Sequence, residues 1–535
     1  MSAPGEDAAL RTAGRFLCMP RLSPIWKKGG VLFYRHQFAA ALRVIEEFGG
    51  SGILADEVGL GKTFEAGLVV TELLERNEAR RALVLVPASL VGQWQAEMSR
   101  FFDLTFIPEP ADPTGHPFVV ASLDWAKRSP QAARYRSLAW DVVIVDEAHK
   151  LKNAKTANHA FVAGLTRRHL LLLTATPIEN DLNELYNLVS LIRPGAFGTY
   201  MDFYRRFVVD RHTPRNQERL KEILASVMVR TKRHEAGLDL PDREVALLPL
   251  ELSGAERTLY ESVTDAVRSA YLPRRREGGN ILPLIMVQRE ICSSSFALLG
   301  TLERLDPDWM GDRAREIRDL ARALEDNVKA RVAGAFIRRL GERAIIFTEY
   351  RDTQLFLQRR LGRDGLTVHA FHGSLTAREK RRIQERFQEE GGVLVSTEAG
   401  GLGVNLQFCR VVVNYDLPWN PMRIEQRIGR VHRLGQTKPV LVVNLFATRT
   451  VEEHLLRLLH LKIDLFRTVI GDLDVILRDI ERQRPLEMQL FEIFFTARQE
   501  ADIEAELDRI QNQFQRRGGK ADDLPGQLGI PMMVY

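Results

Sequence analysis

Short apolar runs recur along the chain, and between several of them the apolar positions return every three to four residues. The first set is Gly52–Ala55, Ala82–Val86, Phe118–Ala121, Val142–Val145 and Leu170–Leu173. Runs this short and this continuously apolar are strands buried on both faces, and the intervening helical pattern makes them repeated βα units of a parallel sheet. From about residue 181 to 330 the pattern turns helical over Leu182–Leu191, Met201–Phe207, Gln217–Leu224 and Ala255–Tyr271. An apolar run at Val245–Leu252 interrupts it and could return to the first sheet. Pro273–Asn280 reads as a basic, Gly-rich loop, and Arg313–Ile337 as charged helix. The βα alternation then resumes at Ala344–Phe347, Thr367–Phe371, Val393–Ser396, Val411–Tyr415 and Val440–Phe446. Beyond Thr450 the chain reads as amphipathic helix to about Arg517. The expected fold class is α/β: two parallel-sheet lobes in tandem, a helical insertion and a helical C-terminal tail. The expected bounds are 1–30 for an N-terminal arm, 31–250 for the first lobe with a helical protrusion at about 181–230, 251–330 for the insertion, 331–470 for the second lobe and 471–535 for the tail.

Composition changes this picture little. A chain of 535 residues, 45% hydrophobic and 27% charged, suits a soluble protein of two to four domains. The 75 basic and 70 acidic residues leave a net charge of +5, which permits a nucleic-acid partner without demanding one. Cys18, Cys292 and Cys409 are too far apart in sequence to indicate a disulfide framework or a zinc site. No secretory signal is evident and no apolar run is long enough to cross a bilayer, so a cytoplasmic location without a membrane partner is expected.

The chemistry concentrates at strand ends. Gly52 to Thr63 reads as a strand, a Gly-rich turn and a helix N-terminus, the arrangement of a phosphate cradle. In it Gly59 and Gly61 permit the turn, Lys62 would reach the β- and γ-phosphates, and the Thr63 hydroxyl would hold Mg²⁺. Asp56 stands where the full pattern asks for Gly, so alone the stretch is also compatible with a strand–helix turn carrying a surface lysine. Val142–Val145 leads directly into Asp146-Glu147-Ala148-His149. A carboxylate at a parallel strand's end lies at the ligand edge of the sheet, so Asp146 would bind the Mg²⁺ and Glu147 would orient or deprotonate water. In the second lobe Gln426–Arg433 reads as one helix with Gln426, Arg430 and Arg433 at i, i+4 and i+7 on one face. Arg430 and Arg433 are candidate fingers for phosphoryl transfer, since a planar guanidinium supplied by a separate module suits the charge that develops there. The loop Ser396–Asn405, with three glycines, permits close backbone approach to a nucleotide or a phosphate backbone.

Taken in order, Tyr34–Gln37, Asp56–Thr63, Val84–Pro87, Asp146–Asn153, Leu173–Pro177, Ile346–Tyr350, Ser396–Asn405 and Gln426–Arg433 resemble the motif series of superfamily 2 helicase-like ATPases, and within them the SWI/SNF-type DNA translocases. The resemblance runs from about residue 31 to 470. It implies two RecA-like lobes, and it accounts for Asp56, because phosphate loops of this superfamily commonly lack the first Gly. It implies ATP with Mg²⁺ as cofactors. Gln37 would read the adenine edge, and Asp56, Glu57, Val58, Gly59, Leu60, Gly61, Lys62 and Thr63 would form the nucleotide loop, with Asn405 contacting nucleotide from the second lobe. Lys62, Asp146, Glu147, Gln426, Arg430 and Arg433 would be catalytic. It implies double-stranded DNA as partner, crossing near Pro87, the Ser122 loop, Tyr350-Arg351 and Thr397 with little sequence preference. A protein partner such as RNA polymerase or a defence or repair complex is compatible, and so are transcription recycling, repair and anti-phage or anti-plasmid defence. Val58, Ala175 and Glu398 depart from the chromatin-remodelling members and look prokaryotic; Glu398 replaces a residue that is often basic. A strand-separating helicase remains an alternative, as does a non-catalytic nucleic-acid clamp, although every catalytic residue the motifs require is present.

Overall fold

The structure is a computed structural model that describes residues 34–57, 59–174, 182–208, 215–231, 241–304, 313–401, 406–418, 421–433, 435–456, 492–496, 502 and 505. Two sheets carry it. The first orders its strands β3-β4-β2-β5-β6-β1-β7, where β1 is Gly52–Leu54, β2 Ala82–Val86, β3 Ile107–Pro108, β4 Phe118–Ser122, β5 Ala139–Asp146, β6 Thr166–Leu173 and β7 Met228–Val229. All six pairings are parallel. The second sheet orders β10-β11-β9-β12-β13-β8, with β8 Arg243–Leu250, β9 Ala344–Thr348, β10 Val368–Phe371, β11 Val393–Thr397, β12 Val411–Asn414 and β13 Val440–Ala447.

The continuous apolar runs fill both faces of the first sheet. Alternate residues of one strand point to opposite faces. Ile53, Leu83, Leu85, Val143, Val145 and Leu172 therefore enter one core layer, while Leu54, Val84, Val86, Ile144, Leu171 and Leu173 enter the other. Each is essentially without solvent exposure. Register fixes the rest: Leu54 lies beside Leu173, and Asp146 also pairs with Leu173. The chain segments that follow β1, β5 and β6 thus emerge together at one sheet edge, the place where open α/β sheets bind ligands.

Three expectations are corrected. The apolar run near Val245 does not return to the first sheet: β8 hydrogen-bonds beside β13 in the second, and Val440 N–H donates to the Asp242 carbonyl at 2.9 Å. An apolar run states that it wants a sheet, not which one. The basic stretch after Pro273 is not a loop throughout, because the helix Gly254–Arg276 continues through Pro273 and three arginines. Cations in a last helical turn face the negative end of the helix dipole, which favours this extension. The arginine-rich segment of the second lobe is not one helix, because α-helix stops at Ile428. Arg430 and Arg433 lie in the turns beyond.

Residues up to Leu250 and 326–446 form one compact unit holding both sheets. The described parts of 251–325 and 447–496 form a second. Within that second unit Arg257 donates to the carbonyls of Thr448 and Arg449 at 2.8 Å each, Tyr260 Oη accepts from Val451 N–H at 2.9 Å, and Arg275 pairs with Glu492 at 2.6 Å. The insertion and the described tail residues, read from sequence as separate segments, pack as one body. Among the described residues no helix is long and apolar enough to cross a membrane. Cys292 and Cys409 are buried free thiols.

Candidate functional site

Beyond β1 the chain stays extended because Ala55 N–H donates to the Val229 carbonyl (2.8 Å) and Glu57 N–H to the Thr231 carbonyl (3.2 Å). Asp56, wholly buried, accepts from Thr231 N–H at 2.7 Å. The turn that follows has Gly59 at φ +92° and Gly61 at φ +95°, conformations that L side chains rarely adopt. A Cβ on Gly61 would also fall 2.4 Å from Gln37 Nε2. Lys62 and Thr63 then open helix α2 (Lys62–Glu75), preceded by α1 (Arg35–Leu42). Lys62 Nζ curls back onto the loop's own carbonyls, donating to Asp56 O at 2.6 Å and Glu57 O at 3.3 Å. Gln37, on α1, is engaged with the same loop: Nε2 donates to the Leu60 carbonyl at 2.9 Å, and Oε1 accepts from Tyr34 N–H at 3.1 Å. Val58 lies outside the described residues, and so do Asn405 and the Ala175–Pro177 stretch.

Beneath the loop is a cluster that sequence reading missed. His36 Nε2 contacts the Leu60 carbonyl at 3.0 Å. His36, Asp56 and Glu65 each turn one ligand-type atom to within 4.8 Å of the others. Burial, and then the charge and hydrogen bond of Asp56, push the Glu65 carboxyl well above the usual carboxylate range. Glu65 is thereby biased toward its protonated form. A group whose folded pKa is raised contributes stability below its unfolded value and loses it as pH rises through the folded one. Glu65→Gln, a neutral isostere that still donates, is expected to leave the denaturation midpoint unchanged or raised and to flatten this loss at higher pH. Urea melts across pH check this, and a loss of more than about 1–2 kcal/mol near neutrality would show that Glu65 acts as an anion.

The two predicted acids end β5. Helix α3 (Val91–Phe102) brings Trp94 to them, and its indole Nε1–H donates to Asp146 Oδ2 at 3.0 Å. Asp146 Oδ1 accepts from Glu147 N–H at 2.8 Å. Glu147 itself sits at φ +52°, a left-handed turn that swings its side chain off the strand line toward His149, whose Nδ1 is 3.2 Å from Glu147 Oε2. Burial and the adjacent Glu147 push the Asp146 carboxyl upward. Burial also works against Glu147, but the hydrogen bond and charge of His149, followed by Arg430 and Lys62, outweigh it and hold Glu147 well below the usual range. Neighbouring acids in opposite directions are what one expects where two carboxylates share a buried site with limited positive charge.

The positive charge comes from the second lobe. Helix α4 (Pro421–Ile428) carries Gln426, half-buried, in its last turn. The chain then turns through Arg430 N–H to the Arg427 carbonyl (3.1 Å) and His432 N–H to the Ile428 carbonyl (2.8 Å). Arg430 is opposed by burial and favoured by Glu147, Asp146 and Glu398. Arg433 is opposed by burial and favoured by Glu97 of α3. A Cβ on Gly59 would lie 3.2 Å from the His432 carbonyl oxygen and 3.3 Å from Arg433 Cβ, so the second lobe's turn rests directly on the first lobe's loop. Lys62, Glu147, Arg430 and Arg433 are thus gathered from two lobes, although not by a single helical face.

The residues that hold this turn were not legible. Arg427 is buried and donates to Glu398 Oε1 (2.7 Å), Asn414 Oδ1 (3.0 Å) and the Asp416 carbonyl (2.7 Å). The acid at position 398 is thereby committed to an internal pair. Arg243, at the start of β8, takes both oxygens of Glu425 at 2.9 and 3.0 Å and donates Nε–H to His432 Nδ1 at 2.7 Å. His432 Nε2 faces the Pro241 carbonyl at 2.8 Å. Gly400 serves internal packing, since a Cβ there would meet the Phe371 backbone at 2.4 Å. With two left-handed glycines, a lysine folded into the loop, a hydroxyl at the helix start and two half-buried acids, the donor set fits a nucleotide phosphate chain with a hard divalent cation.

Comparison with known proteins gives the following. A model described as the SNF2-related domain matches residues 34–297, and one described as the helicase conserved C-terminal domain matches 328–435. The uncharacterized ATP-dependent helicase YqhH of Bacillus subtilis is 40% identical over 489 residues, covering 89% of this chain and 86% of its own length. The human SWI/SNF-related matrix-associated actin-dependent regulator of chromatin subfamily A member 1 is 27% identical over 475 residues, covering 84% of this chain but 44% of its own length. The solved Sulfolobus solfataricus SWI2/SNF2 ATPase core in complex with dsDNA is 24% identical, with 86% of this chain and 97% of that chain covered at a TM-score of 0.40.

Proposed function

The chain belongs to the SNF2-related family of helicase-like ATPases, and from that premise we propose that it is an ATP-driven translocase on double-stranded DNA that displaces or remodels DNA-bound protein. The observation that carries the reading is the meeting of Gly59 with the Arg433 turn, which sets the Arg430 charge near Glu147. Two lobes that share one phosphate site make hydrolysis and lobe movement a single event.

In this reading Lys62 exchanges the Asp56 and Glu57 carbonyls for the β- and γ-phosphates. Thr63 and Asp146 would hold Mg²⁺, which would supply charge neutralisation for the phosphates. Glu147, kept ionised by His149 and Arg430, orients the attacking water and accepts its proton. Arg430 and Arg433 supply charge to the γ-phosphoryl oxygens, and Gln426 closes beside them. Gln37, already on the Leu60 carbonyl, borders the base. Release of product loosens the Arg430 and Arg433 contacts, and alternating grips on the phosphate backbone move the lobes along one strand. Such grips carry no base information, so sequence preference is weak and salt dependence strong.

The test is steady-state ATP turnover with duplex DNA, single-stranded DNA, RNA and no nucleic acid. Duplex is expected to stimulate most, and the stimulation to fall steeply between about 50 and 200 mM salt. Equal rates in all four conditions would defeat the reading. The name of the Bacillus relative favours strand separation as a second reading. Triplex displacement without duplex unwinding supports translocation; efficient unwinding supports the helicase.

A further inference from the structure

Trp94 is 1% exposed and lies in the same core layer as Val84, Val86, Met98 and Phe102. A buried indole N–H needs an acceptor. For Trp140, the other wholly buried tryptophan of this lobe, the acceptor is a backbone carbonyl, that of Tyr135, at 3.0 Å. Trp94 instead spends its N–H on Asp146 Oδ2, across 52 residues of sequence. The other carboxylate oxygen is held by Glu147 N–H. Two donors from two elements, one to each oxygen, remove the rotation of the carboxylate about its Cβ–Cγ bond. Each oxygen keeps a further lone-pair direction open.

We propose that Trp94 is a positioning residue for the divalent cation: its indole N–H presets the Asp146 carboxylate in the orientation in which that residue receives Mg²⁺. The inference rests on the nucleotide and metal reading of the site. Magnesium demands near-ideal octahedral geometry, so a ligand that must first be oriented binds it less well. Groups that orient metal ligands from behind typically carry 10–100-fold in affinity. The helix that supplies Trp94 also carries Glu97, three residues on, whose charge favours the ionised Arg433.

The experiment uses the full chain with Trp94→Phe, which keeps a ring in the core and deletes the donor. Affinity for a fluorescent ADP analogue is titrated against Mg²⁺ and, separately, measured in EDTA. The metal-free affinity and the thermal midpoint are expected to match wild type, while the Mg²⁺ concentration that half-saturates the affinity gain rises about 10–100-fold. Combined with Asp146→Asn, Trp94→Phe should cost nothing further. If the smaller ring destabilises the core, benzothienylalanine at position 94 keeps the bicyclic shape without the N–H and gives the same readout. A wild-type Mg²⁺ dependence in the folded donor-less protein, or an equal loss with and without Asp146→Asn, overturns the proposal. Nucleotide binding by the wild type that ignores Mg²⁺ would instead remove the metal assignment on which it rests.

Discussion

ATP turnover by Glu147→Gln is expected to fall about 10²–10⁴-fold, the usual range for a lost general base, while nucleotide affinity stays within a few-fold of wild type. The substitution keeps shape and removes the charge that the surrounding groups are arranged to support. Those groups are the His149 ring 3.2 Å from the carboxylate, together with Arg430 and Lys62. They hold Glu147 ionised well below its ordinary range, so the base should stay charged through mildly acidic pH. Rapid-quench ATPase assays with and without duplex DNA, beside equilibrium binding of a fluorescent nucleotide, separate chemistry from binding. Turnover within tenfold of wild type would mean that another group handles the water.

Arg430→Ala is expected to lower turnover further, by about 10³–10⁵-fold, the value associated with an arginine finger, again with nucleotide bound. Arg430 is half-buried, and the charges of Glu147, Asp146 and Glu398 favour its ionised form at the site. Arg430→Lys should recover little, since an ammonium lacks the planar fork that spans two oxygens. Single-turnover measurement at saturating nucleotide checks both variants. A normal single-turnover rate with slow steady-state turnover would instead assign Arg430 to product release. Arg433 packs against Gly59, and the charge that favours it is that of Glu97 rather than the acid pair, so its loss should weaken lobe docking as well as chemistry.

What the sequence made legible was local. The strand, turn and helix around Gly59–Thr63 span a dozen residues, and the left-handed glycines and the helix start at Lys62 follow from spacing alone. The Asp146–Glu147 pair was legible for the same reason, as the end of an apolar run. The structure departs from expectation where a decision depended on distant partners. Gln426–Arg433 has helical spacing, yet α4 stops at Ile428 and the turn beyond is held by Arg243, nearly two hundred residues earlier. Trp94 fits the apolar stripe of an amphipathic helix, and nothing local says that its N–H faces a carboxylate. Asp56, an apparent defect of the loop, is explained by a distant donor, the Thr231 N–H, whose bond it accepts. Family resemblance supplied Gln37; propensity could not have done so.

The placement of β8 has a consequence for the edge of the second sheet. Strand β13 runs Val440–Ala447 and seven of its eight residues are buried. Left bare on that side, it would offer other copies a long apolar edge with unmet hydrogen-bond groups, the feature that templates self-association. Residues 243–250 cover it, and the same segment carries the covalent connection from the first lobe. That edge is thus covered on loan from the polypeptide that precedes the lobe, and loss of the segment would turn the lobe into an aggregation seed.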